Sequence, residues 1–287
     1  MIAFGFALLF FLHQAFSSAL GVKEGFAFDA AIRSFAGALP ALAIAALYFF
    51  SLSVLYWLYF LMVRKMDGAK LRGPEMLAAG LLLIGLWLIP PSRSTDVFAY
   101  LAHGHNAQGD ISQHYAKPIY ADDTPYLKEI EHRSGLVAHG SSPYGPWWSY
   151  LEILIGKLAP EDVYAGTLLL KLAGIFAFLL SALVANRIRP GAGGLVLFNP
   201  YLLTELIAEG HNDAWLVLFV LIMAWAIKTM RIGPAVMAGT AGVLTKYVPA
   251  LLAGPALGYA WRNKLVGAKL LIALSFSAAI LALSFYP

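Results

Sequence analysis

Asp96 has a side chain that can exchange a proton, and it lies where an apolar run gives way to a polar loop. It follows the polar segment 90–95, at the end of an apolar run, and either Ser94 or Thr95 can cap a short helix that begins beside it. The helix dipole favours a carboxylate in that first turn. The residue is therefore a candidate for acid–base chemistry, although spacing alone equally allows it only to cap the helix.

Two further segments place polar residues beside apolar runs. Tyr144 lies in the rigid turn SPYGP, which is followed by two tryptophans of the kind that mark a membrane interface. Glu205 and the turn with His211, Asn212 and Asp213 end another apolar run. Acidic groups in such places usually face a cavity, a partner or water.

Lys246 is a single lysine in an apolar run that Pro249 interrupts. Either its aliphatic stem stays in apolar surroundings while its ammonium group reaches the interface, or the ammonium group binds an anion. His103 belongs to a polar loop rich in histidine and aspartate, whose side chains could bind a divalent ion, but they have no fixed ligand spacing. We predict no metal and no other cofactor. The chain has no cysteine, which excludes thiolate nucleophiles and cysteine-ligated clusters.

The elements that must position these residues are membrane helices. Of the 287 residues, 60% are hydrophobic and 13% are charged, whereas soluble domains carry about 25% charged residues. A spanning helix needs roughly 20 apolar residues. Candidate runs lie near 2–19, 35–63, 76–91, 163–186, 193–208, 214–231 and 265–286, and 233–260 is predicted as two half-length helices. The first run lacks a basic start and a cleavage site, so we expect a retained anchor.

Basic residues crowd four short links between the runs, which predicts that these links are cytoplasmic and argues against nucleic acid as a partner. The long polar stretch 92–146 and the turn 209–213 then lie together on the external face. Residues 147–158 would extend only about 18 Å, too short to span, so we predict a re-entrant or interfacial helix there. The whole chain, 1–287, is expected to be a single transmembrane domain with one external loop that carries short amphipathic helices.

Four segments in order carry a family resemblance. They are PPSRSTDVFAYLAHG, SPYGPWW, NPYLLTELIAEGHND and TKYVPAL, between about residues 76 and 260. Together they resemble the motifs of bacterial polyprenol-phosphate-mannose-dependent α-1,6-mannosyltransferases. Thr95 stands where that family has an arginine directly before the aspartate, and Arg93 lies two positions earlier. The members that the chain resembles are longer, so we expect a short or truncated member.

The resemblance implies a helical bundle of the GT-C class, whose members transfer a sugar from a lipid phosphate and invert the anomeric centre. It implies that Asp96 is the general base and that a cation stabilises the leaving phosphate, with Lys246 preferred and Arg93 second. The remaining candidates for the sugar or acceptor pocket are His211, Asn212, Asp213, Tyr144, His103 and Glu205.

The partners implied by the resemblance are a polyprenyl-phosphate-linked sugar, most simply mannose, a glycan or glycolipid acceptor, and membrane lipids. The implied location is the bacterial plasma membrane, with multiple spans and the active site on the external face. Two alternatives remain open. A secondary transporter would also place charges near broken helices, but it should show paired internal repeats, which the sequence lacks. A non-catalytic subunit of a larger glycosyltransferase assembly would not require the ordered motifs.

Overall fold

A computed structural model describes residues 2–20, 39–66, 71–107, 110–119, 123–135 and 140–284. Within these ranges the regular structure is helical and contains no strand. The prediction of an all-α protein is therefore confirmed for the described part. Several predicted features lie partly outside it, namely the start of the run 35–63, the basic link at 67–70 and three short pieces of the external loop.

The helices occur in the following order. They are α1 (Ile2–Leu20), α2 (Ala41–Met66), α3 (Gly73–Leu88), α4 (Asp96–Asn106), α5 (Ile111–Ala116), α6 (Pro125–Ser134), α7 (Pro146–Leu158), α8 (Val163–Ile188), α9 (Ala192–Leu197), α10 (Pro200–Leu202), a π-helical segment (Leu203–Ala208), α11 (Asp213–Lys228), α12 (Ile232–Thr245), a 3-10 segment (Val248–Leu252), α13 (Ala253–Arg262) and α14 (Ala268–Ser284).

Two of these helices are long and apolar enough to cross a membrane. They correspond to Ala41–Lys65 in α2 and Val163–Ile188 in α8. Shorter apolar helices are Ile2–Ser17, Gly73–Leu88, Ile232–Thr245 and Ala268–Ser284. The helix predicted near 147–158 is present as α7, and it has only 13 residues.

The apolar run 193–208 is not one continuous helix, contrary to the prediction. Helix α9 ends at Leu197, and a new helix begins at Pro200. Proline has no N–H and forces the residue before it out of the helical region. The side chain of Asn199, at that position, instead accepts hydrogen bonds from the backbone N–H groups of Tyr201 and Leu202. The break predicted near Lys246 is present, because α12 ends at Thr245.

Two clusters of buried apolar side chains hold the described helices together. One joins α1, α2, α3, α8 and α11 around Phe6, Phe178 and Phe198. The other joins α4, α6, α7 and the start of α8 around Leu101 and Trp148. The second cluster gives the short helices of the polar loop a core of their own, which fixes α4 and α7 relative to the start of α8.

Helices α4 and α7 pack with their backbones in contact. A Cβ atom on Gly104 would lie 2.2 Å from the carbonyl oxygen of Glu152, and one on Gly156 would lie 2.7 Å from the carbonyl oxygen of Gly104. Real Cβ atoms do not approach backbone atoms so closely. The two glycines therefore permit this crossing, which sets the position of the helix that begins with Asp96.

Residues from three of the four basic links meet at one end of the bundle. The ammonium group of Lys228, at the end of α11, donates a hydrogen bond to the carbonyl oxygen of Ile188, at the end of α8. Arg64 and Arg189 line one cleft at the ends of α2 and α8. The other end of α8 packs against α4 and α7. Because α8 has 26 residues, it extends for about 39 Å between its two ends.

The glycine contact predicts a specific cost for an added methyl group. Gly104→Ala should lower stability by about 1–3 kcal/mol, because the backbone of Glu152 cannot move away from the new Cβ without shifting α7. Gly80→Ala is the matched control, since a Cβ at this helical glycine meets no atom within 4 Å and alanine is the better helix former. Thermal unfolding in detergent should rank Gly104→Ala below wild type and Gly80→Ala at or above it; equal midpoints for the two variants would contradict the crossing.

Candidate functional site

The buried carboxylate of Glu209 holds the backbone segment that positions the site. Its side chain is 1% exposed and accepts hydrogen bonds from three consecutive backbone N–H groups, those of Ser92, Arg93 and Ser94, at 3.1, 2.9 and 2.9 Å. The hydroxyl of Ser92 donates to the other carboxylate oxygen at 3.0 Å. Glu209 thus fixes the chain that leads into α4.

Glu209 can approach this loop because the backbone on both sides of Glu209 has an unusual conformation. The π-helical segment Leu203–Ala208 precedes it, and Gly210 follows it with φ of +71°. A Cβ on Gly210 would lie 2.7 Å from the Val97 side chain. Only glycine combines this φ with so close an approach, and π segments are frequent at functional sites.

Asp96 is the first residue of α4, and Thr95 occupies the cap position. The backbone N–H of Asp96 is held by the hydroxyl of Ser94 at 3.1 Å. Its carboxylate accepts a hydrogen bond from the hydroxyl of Tyr100 at 3.3 Å and lies 3.8 Å from His211 Nε2. The side chain of Asp96 remains 46% exposed. The carboxylate is therefore oriented by neighbours and still open to a ligand.

His211, Glu205 and Arg93 form a chain of charged contacts beside Asp96. His211 Nε2 lies 2.8 Å from the hydroxyl of Ser94, and His211 Nδ1 lies 3.4 Å from Glu205 Oε2. The guanidinium of Arg93 donates to Glu205 Oε1 at 2.9 Å, and its Nε lies 3.6 Å from Glu209 Oε1. Four of the residues predicted from sequence are thus in one contact network.

Lys246 and Asp213 form a second pair at the other side of the site. The ammonium group lies 3.1 Å from both carboxylate oxygens, and each side chain is 34% exposed. The turn that contains Tyr144 is joined to the same place, because the N–H of Gly145 donates to the carbonyl oxygen of Thr245 at 3.1 Å. The break after α12 is therefore bonded to the SPYGP turn.

Tyr100 connects the two sides. Its ring packs edge-on against Tyr144 and Trp148, with centroids 5.2 and 4.9 Å away, and its hydroxyl lies 3.5 Å from the backbone N of Asn212. Burial, together with Tyr144 and the Asp96 carboxylate, raises the pKa of Tyr100 well above its ordinary value. Tyr100 therefore keeps its proton at neutral pH and can donate a hydrogen bond to Asp96.

Comparison with known families decides the relationship. The family model described as "Alpha-(1->6)-mannopyranosyltransferase, N-terminal domain" matches residues 3–263. The chain belongs to this family. No curated protein and no solved structure matched the chain. The mannosyltransferase relationship predicted from the four motifs is confirmed, and the chain is a member of a glycosyltransferase family.

In this mannosyltransferase-family chain, His103 lies apart from the other predicted site residues. It is 3% exposed, and its ring lies 5.6 Å from that of His114. His114 Nε2 in turn lies 2.5 Å from Glu152 Oε2. Burial lowers the pKa of His103 to about 3 and that of His114 to about 4, and burial raises that of Glu152 well above its ordinary value. We infer a neutral His114–Glu152 pair that supports α4 and α7 from within.

The described part of the chain contains no group of three or more histidine, aspartate or glutamate side chains placed to hold a metal ion. Two of the polar-loop histidines that the structure describes make separate contacts instead. His105 stacks on Tyr126 with ring centroids 4.6 Å apart, whereas His114 pairs with Glu152.

Four residues belong to the site or its support but were not predicted from the sequence. They are Glu209, Ser94, Tyr100 and Lys171. Lys171 is fully buried in α8, and its ammonium group donates to the carbonyl oxygens of Leu86, at 2.6 Å, and Ile89. It also interacts electrostatically with Glu209. A charge within an apolar run is costly, so the charges of Lys171 and Glu209 were detectable signals. Tyr100 lies within the first motif segment, four residues after Asp96, and this helical spacing was a further signal.

The buried pair predicts a pH-dependent variant. A carboxyl group with a raised pKa in the folded state is protonated there but ionised in the unfolded chain above pH 4.5, so its contribution to stability is lost as pH rises from that value. Glu152→Gln removes this penalty and should raise the unfolding midpoint relative to wild type at pH 8. The gain should shrink as pH falls towards 4.5.

The control for this experiment is Glu161→Gln, which removes a carboxylate from the exposed turn before α8 and should change the midpoint little at either pH. A Glu152→Gln gain that grows towards low pH would show that the carboxyl is ionised in the folded protein.

Proposed function

We propose that the chain is a GT-C type membrane glycosyltransferase that transfers mannose from a polyprenyl-phosphate donor to a glycan or glycolipid acceptor, with inversion, on the non-cytoplasmic face. The observation that carries this proposal is the half-exposed Asp96 carboxylate at the centre of the site, oriented by Tyr100 and His211. Membership of a mannosyltransferase family supports the reaction class and the sugar.

The proposed reaction is a single displacement. The oxygen of an acceptor hydroxyl attacks the anomeric carbon, and its proton passes to Asp96. The bond between the anomeric carbon and the phosphate oxygen breaks, and the electron pair leaves with the polyprenyl phosphate. A base near the attacking oxygen and a cation near the leaving phosphate both lower the barrier. In this site Asp96 takes the first role.

The balance of charge favours Lys246 over Arg93 as the cation for the leaving phosphate. Arg93 contacts two carboxylates, those of Glu205 and Glu209. A dianionic phosphate would be repelled there. Lys246 contacts one carboxylate, that of Asp213, and both side chains are one-third exposed. A phosphate can therefore approach Lys246 by replacing or sharing a single partner.

Asn212 is the residue best suited to bind the sugar within this proposal. Its side chain is 1% exposed, and neither its amide oxygen nor its amide nitrogen has a hydrogen-bond partner among the described residues. Buried polar groups are rarely left unpaired, and a sugar hydroxyl can both donate and accept. His211 and Asp213 flank Asn212 in the sequence and complete this polar wall, and the ring of Tyr144 can stack on the sugar.

The proposed topology follows from the separation of charge. Residues from three of the four basic links lie at the Ile188 end of α8, and cytoplasmic loops of membrane proteins are enriched in lysine and arginine. The site lies towards the other end of α8. We therefore propose several spans, including α2 and α8, in a bacterial plasma membrane, with the site on the external face and the break after Lys246 at membrane depth.

Transfer assays distinguish this proposal from the transporter and the non-catalytic subunit. The purified chain should move radiolabelled mannose from polyprenyl-phosphate-mannose to an oligomannoside and release polyprenyl phosphate. Uptake of the sugar into proteoliposomes without a new glycosidic bond would indicate a transporter. Absence of both activities would indicate a subunit that requires a partner.

Asp96→Asn tests the general base. The amide cannot accept the proton, so the transfer rate should fall by at least about a hundredfold, the lower end of a general base's contribution. The unfolding midpoint should change little, because the side chain is 46% exposed. The matched control is Asp162→Asn, at the N-cap of α8, whose side chain accepts a hydrogen bond from the backbone N–H of Ala165; this variant should retain activity. Turnover like that of wild type in Asp96→Asn would remove Asp96 from the chemistry.

Lys246→Met tests the phosphate site. It should weaken binding of a polyprenyl-phosphate analogue and slow transfer far more than it lowers stability, because it removes the cation and keeps the aliphatic stem. Lys228→Met is the matched control at the basic end and should bind the analogue like wild type. If Lys246 only reaches the interface, methionine will leave the dissociation constant unchanged and Arg93 becomes the candidate.

A further inference from the structure

Helices α1 and α2 contribute polar side chains to the site, although their sequences are apolar runs. The hydroxyl of Tyr48, in α2, accepts a hydrogen bond from Arg93 Nη1 at 3.1 Å. The ring of Tyr48 packs on that of the buried His13, in α1, with centroids 4.6 Å apart. His13 Nδ1 lies 2.9 Å from the hydroxyl of Ser51. Tyr48 is therefore held in place by both helices and aimed at Arg93.

The contacts arrange the site in a fixed order. At one end Lys246 pairs with Asp213, and the neighbouring Asn212 contacts Tyr100, which donates to Asp96. From Asp96 the sequence of contacts continues through His211 to Glu205, and from Glu205 to Arg93 and Tyr48. In this order of contacts, Asp96 comes between the Lys246 end and the Tyr48 end.

Inversion requires the attacking oxygen and the leaving oxygen to lie on opposite faces of the anomeric carbon. If the donor phosphate is bound at Lys246, the acceptor must approach Asp96 from the other end. We propose, on the basis of the function proposed above, that Tyr48, Arg93 and Glu205 form the acceptor subsite and bind neutral hydroxyl groups of a sugar.

The chemistry of this end fits a neutral ligand. One guanidinium is balanced by the carboxylates of Glu205 and Glu209, so the pocket has no excess positive charge for an anion. Arg93 and Glu205 are 34% and 25% exposed, which leaves donors and acceptors accessible to a sugar. Tyr48, which is half-buried, presents both a hydroxyl and a ring edge beside them. Carboxylates and aromatic rings together suit the polar and apolar faces of a pyranose.

Tyr48→Phe tests the subsite, because it removes the hydroxyl and keeps the ring against His13. Binding of an oligomannoside is measured by titration without donor, and binding of a polyprenyl-phosphate analogue is measured in parallel. The loss of one hydrogen bond should raise the acceptor dissociation constant about threefold to tenfold. Glu205→Gln, which weakens charge-assisted bonds, should raise it by about tenfold or more. In both variants the dissociation constant of the donor analogue should change less than that of the acceptor.

Tyr59→Phe is the matched control, since it removes a hydroxyl from the same helix that donates to the carbonyl oxygen of Leu195 at 3.0 Å, away from the site. Its acceptor binding should equal that of wild type. Weakened donor binding in Tyr48→Phe, or acceptor binding unchanged by both variants, would overturn the subsite. A wild-type chain that binds no oligomannoside would also overturn it. Acceptor binding that Tyr48→Phe weakens, without any sugar transfer by wild type, would support the subsite and refute the proposed activity.

Discussion

The carboxylate of Glu209 is buried, and a buried charge is tolerated only when partners replace the water that it has lost. Three backbone N–H groups and one serine hydroxyl make that replacement, all from residues 92–94. Because Glu209 needs these donors and the loop needs an acceptor for its N–H groups, neither segment is stable in this position without the other. The interaction joins segments more than a hundred residues apart, and the position of Asp96 follows from it.

Two contacts between distant segments then hold the site together. The first is the Glu209 contact, which brings the segment before α4 to the end of the π-helical segment. The second is the backbone hydrogen bond between Gly145 and Thr245, which brings the SPYGP turn to the break after α12. Between these two contacts, the ring of Tyr100 packs against Tyr144 and Trp148. A site on rigid elements keeps its groups aligned without reorganisation, and here the alignment depends on helix ends and breaks instead of helix interiors.

The charges of the site are distributed unevenly, and this distribution separates the two proposed substrates. Carboxylates predominate around Arg93, whereas Lys246 has a single carboxylate partner. In the proposed reaction, the negatively charged leaving group and the neutral acceptor would approach Asp96 from opposite sides. The same proposal gives α1 and α2 a role in the site, since Tyr48, which packs on His13, belongs to the proposed acceptor subsite.

Sequence by itself determined the class of the fold and the family, because both depend on local signals. Apolar runs predict helices, proline and lysine positions predict the break after Thr245, and four ordered motifs identify a mannosyltransferase relationship that the family model confirms. It also selected Asp96, Arg93, Glu205 and His211, which are in one contact network. The apolar run near 193–208 was predicted as a candidate span, but the structure interrupts it at Pro200. The prediction followed the apolar character of the run and did not allow for the proline.

Only the tertiary structure decided which residues serve the site and which support it. Glu209 and Asp213 are both acidic residues in one turn, yet the first is buried against a backbone loop and the second is half-exposed beside Lys246. His103 and His211 both seemed to be pocket residues, but only His211 contacts Asp96, while His103 lies beside His114 in a buried cluster. Burial and pairing depend on contacts between distant segments, and neither composition nor spacing contains that information.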